Sequence, residues 1–188
     1  MTRIIGGAVG GRRIRTPDGA GTRPTSDRVR EALFSAVESA LGTLHGLRFL
    51  DLYAGSGAVG LEARSRGASR VTLVEQDRRA AAVTADNARV LGLDGVEVVR
   101  QPVGRYLATR PEGTSPYDVA FLDPPYALED EMLRADLQAL GGGWLAADAL
   151  VVVERSSRSP GLEWPEGYVP DRLKRYGETA LAYATWTG

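Results

Sequence analysis

The sequence predicts an α/β protein with a mostly parallel, doubly wound sheet and an antiparallel hairpin at one edge. Three observations predict this class. From residue 47 onward, short apolar runs alternate with amphipathic helical patterns, as in parallel sheets that are covered by helices on both faces. A glycine-rich turn, GSG, follows the first of these runs. The last stretch, RLKRYGETALAYATW, breaks the alternation and is typical of two strands joined by a glycine-containing turn.

The elements follow in chain order. Two short strands, at residues 3–5 and 12–16, flank the turn-rich segment GGAVGG and form a predicted N-terminal β-hairpin. Thr25 and Ser26 offer N-caps for an amphipathic helix that continues to Leu41. Five buried strands are then expected at residues 47–53, 70–75, 96–99, 117–123 and 149–154. Helices are expected between them at residues 59–67, 77–92, 103–110 and 128–141. With the two strands of the final hairpin, the predicted sheet has seven strands.

The composition is that of a soluble globular domain. The chain of 188 residues has no cysteine and a single histidine, His45, which argues against disulfides and against a metal site. No apolar run approaches the roughly 20 residues of a membrane span, and the first residues lack the apolar core of a signal peptide. We therefore expect a cytoplasmic protein with no membrane partner and no metal. A monomer is the expected state, although the sequence does not fix the number of subunits.

Charge is distributed unevenly along the chain. Residues 1–30 carry seven arginines against two aspartates, a balance of +5, so the rest of the chain sums to −6. Arginine supplies 22 of the 23 basic residues, and its forked guanidinium suits phosphate. This asymmetry indicates a basic arm at residues 1–24 that lies outside the main core of a domain at residues 25–188. The arm either contacts a polyanion or is merely a solvated basic tail.

The first strand and its turn, FLDLYAGSGAVG, predict a nucleoside site. Gly55, Gly57 and Gly60 spell G-x-G-x-x-G, a weak signal by itself because a tight turn needs the same glycines. Asp51 at the strand end disfavours a diphosphate and suits a cationic ligand. Glu75, after the second strand, can accept both hydroxyls of a ribose. A nucleoside cofactor that is not held through phosphate is expected, which S-adenosylmethionine fits and NAD fits poorly.

The contact to the adenine ring stays open between two groups. The third strand ends in VEVVRQPVG, where either the Gln101 side chain, next to Pro102, or the Val103 backbone offers an acceptor. The residues predicted to bind the cofactor are Asp51, Tyr53, Ala54, Gly55, Ser56, Gly57, Glu75, Gln76, Gln101, Pro102, Val103 and Asp123.

The fourth strand ends in FLDPPY. An exocyclic amine of a nucleobase is a poor nucleophile because its lone pair is delocalised into the ring. The Asp123 carboxylate and the Pro124 carbonyl can accept its two hydrogens and draw the nitrogen toward sp³ geometry. Pro125 stiffens the turn, and Tyr126 offers a face for an extruded base. The alternative is a proline turn with an incidental acid. We predict that Asp123, Pro124, Pro125 and Tyr126 are catalytic.

Two sets of motifs resemble known proteins. DLYAGSG followed by FLDPPY is similar to the signature of amino-directed, Rossmann-like class I S-adenosylmethionine methyltransferases. RIIGGAVGGRRIRTP, TRPTSDRVREALF and KRYGETAL resemble the RsmD family, and the likeness covers residues 3–186. That family methylates N2 of a guanine in 16S ribosomal RNA. The resemblance therefore implies this reaction, S-adenosylmethionine as cofactor, and 16S ribosomal RNA or the assembling small subunit as partner. Tyr53 stands where phenylalanine is expected.

The basic arm and the resemblance together predict an RNA-binding surface, formed by Arg3, Arg12, Arg13, Arg15, Arg23, Thr25 and Arg28. Three rival functions remain open. A DNA adenine-N6 methyltransferase shares the D-P-P-Y motif but usually needs an added target-recognition region. An NAD-dependent oxidoreductase is supported only by the glycine motif. A non-catalytic RNA-binding module with the same fold is the third.

Overall fold

The computed structural model describes residues 2–17, 25–110 and 112–188, and within them the predicted α/β class is confirmed. A small antiparallel pair, β1 (Thr2–Arg3) and β2 (Arg13–Ile14), comes first. The main sheet contains β3 (Arg48–Leu52), β4 (Arg70–Val74), β5 (Val96–Val99), β6 (Tyr117–Leu122), β7 (Leu145–Ser156), β8 (Tyr168–Tyr176) and β9 (Thr179–Trp186). The helices are α1 (Asp27–Leu41), α2 (Ala58–Ser65), α3 (Arg78–Leu91), α4 (Val103–Ala108) and α5 (Asp130–Gly141). None of these helices is long and apolar enough to cross a membrane.

The strand order of the main sheet is β5-β4-β3-β6-β7-β9-β8. Strands β3 to β7 pair in parallel, β9 runs antiparallel to β7, and β8 runs antiparallel to β9 at the edge. The chain moves outward from β3 to β5 and then returns to the other side of β3 as β6. This reversal creates a switch point between β3 and β6, where open α/β sheets bind ligands beyond the carboxyl ends of their strands.

Strand β7 differs most from its predicted bounds. It begins at Leu145, ahead of the predicted start at Ala149, and the pairing with β6 shifts register between Tyr117 and Val119. Asp148 has a φ of +60° within this irregular part. The sequence pattern missed this stretch because its small and polar residues do not continue the apolar run of ALVVVE.

Helices cover both faces of the sheet, so the central strands are buried on both sides. Val151, Val152 and Val153 of β7 are fully buried. Val151 and Val153 belong to the apolar cluster that contains Leu133 of α5, whereas Val152 belongs to the cluster that contains Leu33 of α1. A continuous apolar run, rather than an alternating one, is what this two-sided burial requires.

The arm at residues 2–17 packs against the domain. Ile4 and Ile14 are 0% and 3% exposed, and they share an apolar cluster with Leu61 of α2 and Leu91 of α3. The arm therefore forms a separate apolar cluster with α2 and α3, beside the two larger clusters that contain the sheet, and the sequence pattern did not predict this cluster. Burial of each such side chain contributes about 1.5–3 kcal/mol, and the many arginines around the two isoleucines concealed this role.

A buried carboxylate fixes the arm on α2. Glu62 is fully buried and accepts the backbone N–H groups of Ile5 at 2.6 Å and of Gly6 at 2.8 Å. Gly7 has a φ of +78°, and a Cβ there would lie 2.0 Å from the Ser65 carbonyl oxygen, so only glycine fits. Residues 2–17 are thus packed against the rest of the domain, and they do not form a merely solvated tail.

Candidate active site

A cavity of about 630 Å³ lies beyond the carboxyl ends of β3, β4 and β6. It brings together most of the residues predicted to bind the cofactor with part of the catalytic motif. The predicted residues that line it are Thr25, Asp51, Tyr53, Ala54, Gly55, Ser56, Glu75, Gln76, Val103, Asp123 and Pro125. Thr16 and Pro17, at the end of the described part of the arm, also line it and were not predicted.

Some predicted cofactor residues lie outside the cavity lining. Gly57 is the N-cap of α2, and a Cβ there would lie 2.5 Å from Thr84 Cγ2, so close packing accounts for this glycine. Gln101 and Pro102 do not line the cavity, and Pro102 is the N-cap of α4. Val103 does line it, whereas the adenine contact itself stays a prediction.

Glu75 is presented by the turn between β4 and α3. Its carboxylate accepts the backbone N–H groups of Gly55 at 2.8 Å and of Asp77 at 2.7 Å. Each carboxylate oxygen has a second lone pair, so both oxygens can still accept a hydroxyl hydrogen. Asp77 also lines the cavity, and its side chain caps α3 by accepting from the N–H of Ala80 at 2.8 Å. Sequence reasoning missed Asp77, although an acid directly before a helical pattern is a usual N-cap signal.

Asp51 is the next-to-last residue of β3, just before the glycine-rich turn. It is 1% exposed, and its carboxylate accepts the N–H of Gly60 at 2.8 Å. Burial raises the pKa of Asp51 to about 7, the hydrogen bond from Gly60 opposes this, and the nearby charge of Glu75 adds to it. A cation bound in the cavity stabilises the ionised form and offsets the cost of burial.

The charged residues of the cavity suit a cationic nucleoside. Asp51, Glu75, Asp77 and Asp123 line it together with Arg79, so acids predominate among the described lining residues. Such a lining disfavours a diphosphate, whereas it matches a ligand with ribose hydroxyls and positive charge. S-adenosylmethionine has this chemistry, and the donor set therefore fits it.

Tyr53 combines an unusual backbone conformation with a side-chain contact to α5. Its φ is +65°, in the left-handed region that non-glycine residues rarely adopt. Its hydroxyl donates a hydrogen bond to the Asp136 carboxylate of α5. Burial, followed by the contact with Asp136, raises the pKa of Tyr53. The phenylalanine expected at this position lacks the hydroxyl, so this contact depends on tyrosine.

The DPPY segment, predicted to be catalytic, forms a turn directly after β6. The backbone N–H of Asp123 donates to the Leu52 carbonyl at 3.2 Å, which extends the ladder with β3 by one residue. Pro124 is buried and Pro125 lines the cavity. Tyr126 is 72% exposed. Asp123 thus lies at the cavity, whereas Tyr126 does not line it and is exposed to solvent.

Asp123 lies among other acids. Burial raises its pKa well above the usual value, and the charges of Glu154 and Asp51 raise it further. The Thr25 hydroxyl donates to Glu154 Oε2 at 2.9 Å. Burial raises the pKa of Glu154 to about 7, against the lowering effect of Thr25. Within the described residues, no group of three or more acid, histidine or cysteine side chains is arranged to hold a metal ion.

Glu154 is another residue near the site that sequence reasoning missed. It lies in β7, next to β6, which Asp123 directly follows, and it is 8% exposed. The available signal was an acid at the end of the apolar run ALVVVE. Thr25 was predicted on the RNA-binding surface, but it lines the cavity and contacts Glu154.

Arg12, predicted to bind RNA, also has a structural contact. Its guanidinium donates to the backbone carbonyls of Val90 at 2.8 Å and Leu91 at 3.1 Å. These carbonyls belong to the last turn of α3, where a cation also interacts favourably with the helix dipole. Arg12 therefore ties the arm to α3.

The other predicted RNA-binding arginines lie on the surface or outside the described residues. Arg3 pairs with Asp27 and Arg15 with Asp86, each at 3.2 Å, and both arginine side chains are largely exposed. Such exposed pairs contribute only about 0.2–1 kcal/mol, so a phosphate can compete for either arginine. Arg13 and Arg28 are exposed, and Arg23 lies outside the described residues.

Comparison with known proteins shows similarity over nearly the whole chain. The family described as conserved hypothetical protein 95 matches residues 2–185. Ribosomal RNA small subunit methyltransferase D of Escherichia coli strain K12 is 37% identical over 179 residues, 95% of this chain and 86% of that protein. The Haemophilus influenzae protein of the same name is 35% identical over 177 residues, 93% of this chain and 89% of that protein.

Solved structures give the same result for the fold. The Escherichia coli protein yhhF superposes with a TM-score of 0.86 at 34% identity, covering 99% of this chain and 98% of that chain. A hypothetical protein of Thermus thermophilus superposes with a TM-score of 0.81 at 37% identity, covering 97% of this chain and 98% of that chain. The seven-stranded sheet and the N-terminal arm therefore belong to a fold already seen in its relatives.

Proposed function

Since this chain belongs to the family of ribosomal RNA small subunit methyltransferase D, the RsmD family expected from its motifs, we propose that it methylates the exocyclic N2 of a guanine in 16S ribosomal RNA. S-adenosylmethionine is the proposed cofactor, and naked 16S ribosomal RNA or the assembling small subunit is the proposed partner. We further propose that it acts in the cytoplasm as a monomer, without a metal ion.

The observation that carries this proposal is the fixed turn from Asp123 to Tyr126 beside the acidic cavity. Asp123 and the Pro124 carbonyl accept the hydrogens of the target amine, which brings its lone pair out of conjugation with the ring. The bound cofactor supplies an electrophilic methyl group on a positively charged sulfur. Asp123 then stabilises the positive charge that develops on the amine nitrogen, and Tyr126 stacks on the extruded base.

Three groups of the cavity have proposed roles in holding the cofactor. The Asp51 carboxylate accepts a hydrogen bond from the positively charged end of the cofactor or neutralises it, because this buried carboxylate is easier to ionise beside a cation. Glu75 accepts from the ribose hydroxyls through the lone pairs that Gly55 and Asp77 leave free. The Val103 backbone is the proposed adenine contact.

The arm is the proposed source of most RNA affinity. A lone guanosine cannot offset both the loss of translational freedom and the unstacking of the base, a few kcal/mol. Phosphate contacts must therefore supply the difference, and they weaken steeply with salt. The exposed arginines of the arm and of α1, Arg3, Arg13, Arg15 and Arg28, are suited to such contacts.

Rival functions are less well supported. A DNA adenine-N6 methyltransferase would use the same motif, but the described part of the chain forms one sheet with its helices and a docked arm. It leaves little room for a separate target-recognition region. An NAD-dependent oxidoreductase would give no role to Asp123 and would place a diphosphate beside Asp51.

Incubation with methyl-labelled S-adenosylmethionine tests the proposal. Unmethylated 16S ribosomal RNA, assembled small subunits and duplex DNA are offered separately, and the products are digested to nucleosides. We expect label in N2-methylguanosine from RNA or subunits, and none with Asp123→Asn. Label in N6-methyladenosine would favour the DNA enzyme. Cofactor binding by calorimetry without transfer to any substrate would favour the non-catalytic RNA-binding module.

A further inference from the structure

Asn87 of α3 forms hydrogen bonds with two segments that are far apart in the chain. Its side chain is buried, since the residue is 4% exposed. Asn87 Oδ1 accepts the backbone N–H of Arg15 at 2.9 Å, and Nδ2 donates to the Arg15 carbonyl at 2.9 Å and to the Ser56 carbonyl at 3.3 Å. A single buried side chain therefore joins the arm to the glycine-rich turn.

These contacts require an amide at position 87. A side-chain amide has a carbonyl oxygen that accepts and two N–H hydrogens that donate. Both hydrogens of Asn87 are used here, one toward the arm and one toward the turn. Aspartate could still accept from the Arg15 N–H, but it has no hydrogen to donate to either carbonyl when ionised.

Both segments that Asn87 joins reach the cavity. Thr16 and Pro17 directly follow Arg15 and line the cavity, and so does Ser56. The Arg15 side chain points the other way in function, because it is 78% exposed and suits a phosphate. The placement of the Arg15 backbone thus affects the wall of the cofactor site and an arginine of the RNA surface together.

We propose that Asn87 is a positioning residue that holds the end of the arm docked against the glycine-rich turn and so prepares both binding surfaces. The inference rests on the proposed function, because it takes S-adenosylmethionine as the ligand of the cavity and 16S ribosomal RNA as the ligand of the arm. A docked arm end presents Thr16 and Pro17 to the cofactor and Arg15 to a phosphate before either ligand arrives. Neither ligand then has to order this segment on binding.

Loss of the Asn87 contacts should affect both ligands through one shared equilibrium. When the arm end is docked in only a fraction of the molecules, the apparent affinity of each ligand that needs the docked state falls by that fraction. The first ligand to bind restores the docked state for the second, and this appears as positive cooperativity. The wild type is docked beforehand and should have little of it. In a protein that stays folded, the loss of a direct ligand contact does not create such cooperativity.

Asn87→Ala removes the contacts, and Ser65→Ala is the matched control. Ser65 is also 4% exposed and also bonds the arm, since its hydroxyl donates to the Gly6 carbonyl at 2.6 Å and accepts the Val9 N–H at 3.1 Å. It lies on α2 and does not line the cavity. If Asn87→Ala does not fold, Asn87→Ser carries the same test, because one hydroxyl hydrogen cannot serve both carbonyls.

Two measurements are combined at fixed salt concentration: calorimetry with S-adenosylmethionine, and binding of unmethylated 16S ribosomal RNA with and without saturating S-adenosylhomocysteine. The latter lacks the methyl group, so no transfer occurs. Asn87→Ala should weaken the binding of both ligands by about three- to tenfold. Saturating S-adenosylhomocysteine should then raise the RNA affinity of Asn87→Ala by at least about threefold, and that of the wild type and of Ser65→Ala by less than about twofold.

An unchanged Kd for either ligand in Asn87→Ala overturns the proposal, and so does weaker binding of both without any gain in RNA affinity from S-adenosylhomocysteine. An equal gain in Ser65→Ala would mean that any loosening of the arm has this effect, and it would overturn the particular role of Asn87. A wild type that binds no S-adenosylmethionine contradicts the proposed function and this coupling together. A wild type that binds both ligands and methylates a guanine upholds the function, and the two variants then decide on Asn87 alone.

Discussion

Replacing Asp51 by asparagine changes folding stability and cofactor affinity in opposite directions. The pKa of Asp51 is raised from 3.8 to about 7, mainly by burial. Between these two values the folded protein holds a proton that the unfolded chain has already released. The free energy of unfolding therefore falls as pH rises through this window: the contribution is fully present below pH 3.8 and is lost above about pH 7.

The magnitude follows from the width of the window. It spans about three pH units, and each is worth about 1.4 kcal/mol, so ionising Asp51 costs about 4 kcal/mol at pH 8. Asparagine cannot ionise, and its carbonyl oxygen can still accept from the Gly60 N–H. Asp51→Asn should therefore be more stable than wild type by about 2–4 kcal/mol at pH 8, and nearly equal to it at pH 4.

Affinity should move the other way. The proposed cationic cofactor loses a charged partner that is worth about 1.5–3 kcal/mol, so calorimetry at pH 8 should show binding weakened at least tenfold. The wild-type affinity should also fall as pH drops through about 7, because Asp51 becomes protonated there. Asp51→Asn should have lost most of this pH dependence.

Urea unfolding at pH 4 and pH 8, without cofactor, measures the stability change. Asp118→Asn is a matched control: the Asp118 carboxylate also accepts a backbone N–H, that of Arg48 at 2.8 Å, but it lies at the other end of the sheet and does not line the cavity. The control should neither gain stability at pH 8 nor lose affinity. A stability difference between Asp51→Asn and wild type that is the same at both pH values would refute the burial argument. Unchanged affinity would refute the proposed contact with the cation.

Four further changes test other parts of the site and of the arm. Asp123→Ala should abolish methyl transfer and keep cofactor Kd within a few-fold in calorimetry; near-normal turnover would exclude its catalytic role. Tyr126→Phe should be mild and Tyr126→Ala severe in kcat/KM on ribosomal RNA, because stacking needs the ring, and equal losses would indicate a role for the hydroxyl. Tyr53→Phe removes the hydrogen bond to Asp136 and should lower the free energy of unfolding and the cofactor affinity by about 1 kcal/mol each. Unchanged urea unfolding and cofactor Kd would mean that the backbone holds its conformation without this hydrogen bond. Arg12→Ala removes two hydrogen bonds to the end of α3 and should lower the free energy of unfolding by about 1–2 kcal/mol; no change in urea unfolding would mean that the cap is not needed.

The sequence predicted those site residues whose position follows from strand order alone. Asp51, Glu75 and Asp123 each come at the end of a buried apolar run, and parallel strands bring such ends to one edge of the sheet. Glu154 also ends an apolar run, but many charged residues that contact only solvent do so too. Its hydrogen bond with Thr25 depends on how β7 and the segment before α1 lie relative to each other, which local pattern does not give.

The packing of the arm also could not be predicted from local sequence pattern, and this packing has a consequence for RNA binding. Its arginines are visible in the sequence, whereas its anchors depend on partners far along the chain, such as Glu62, which is 57 residues beyond Ile5. Asn87 of α3 also joins the arm to the cofactor loop, since its amide donates to the carbonyls of Arg15 at 2.9 Å and of Ser56 at 3.3 Å. A docked arm holds its exposed arginines in a fixed place relative to the cavity. RNA binding at residues 2–17 then does not have to order that part of the backbone, a cost of about 1–2 kcal/mol per residue in a free tail, and more of the phosphate interaction remains as affinity.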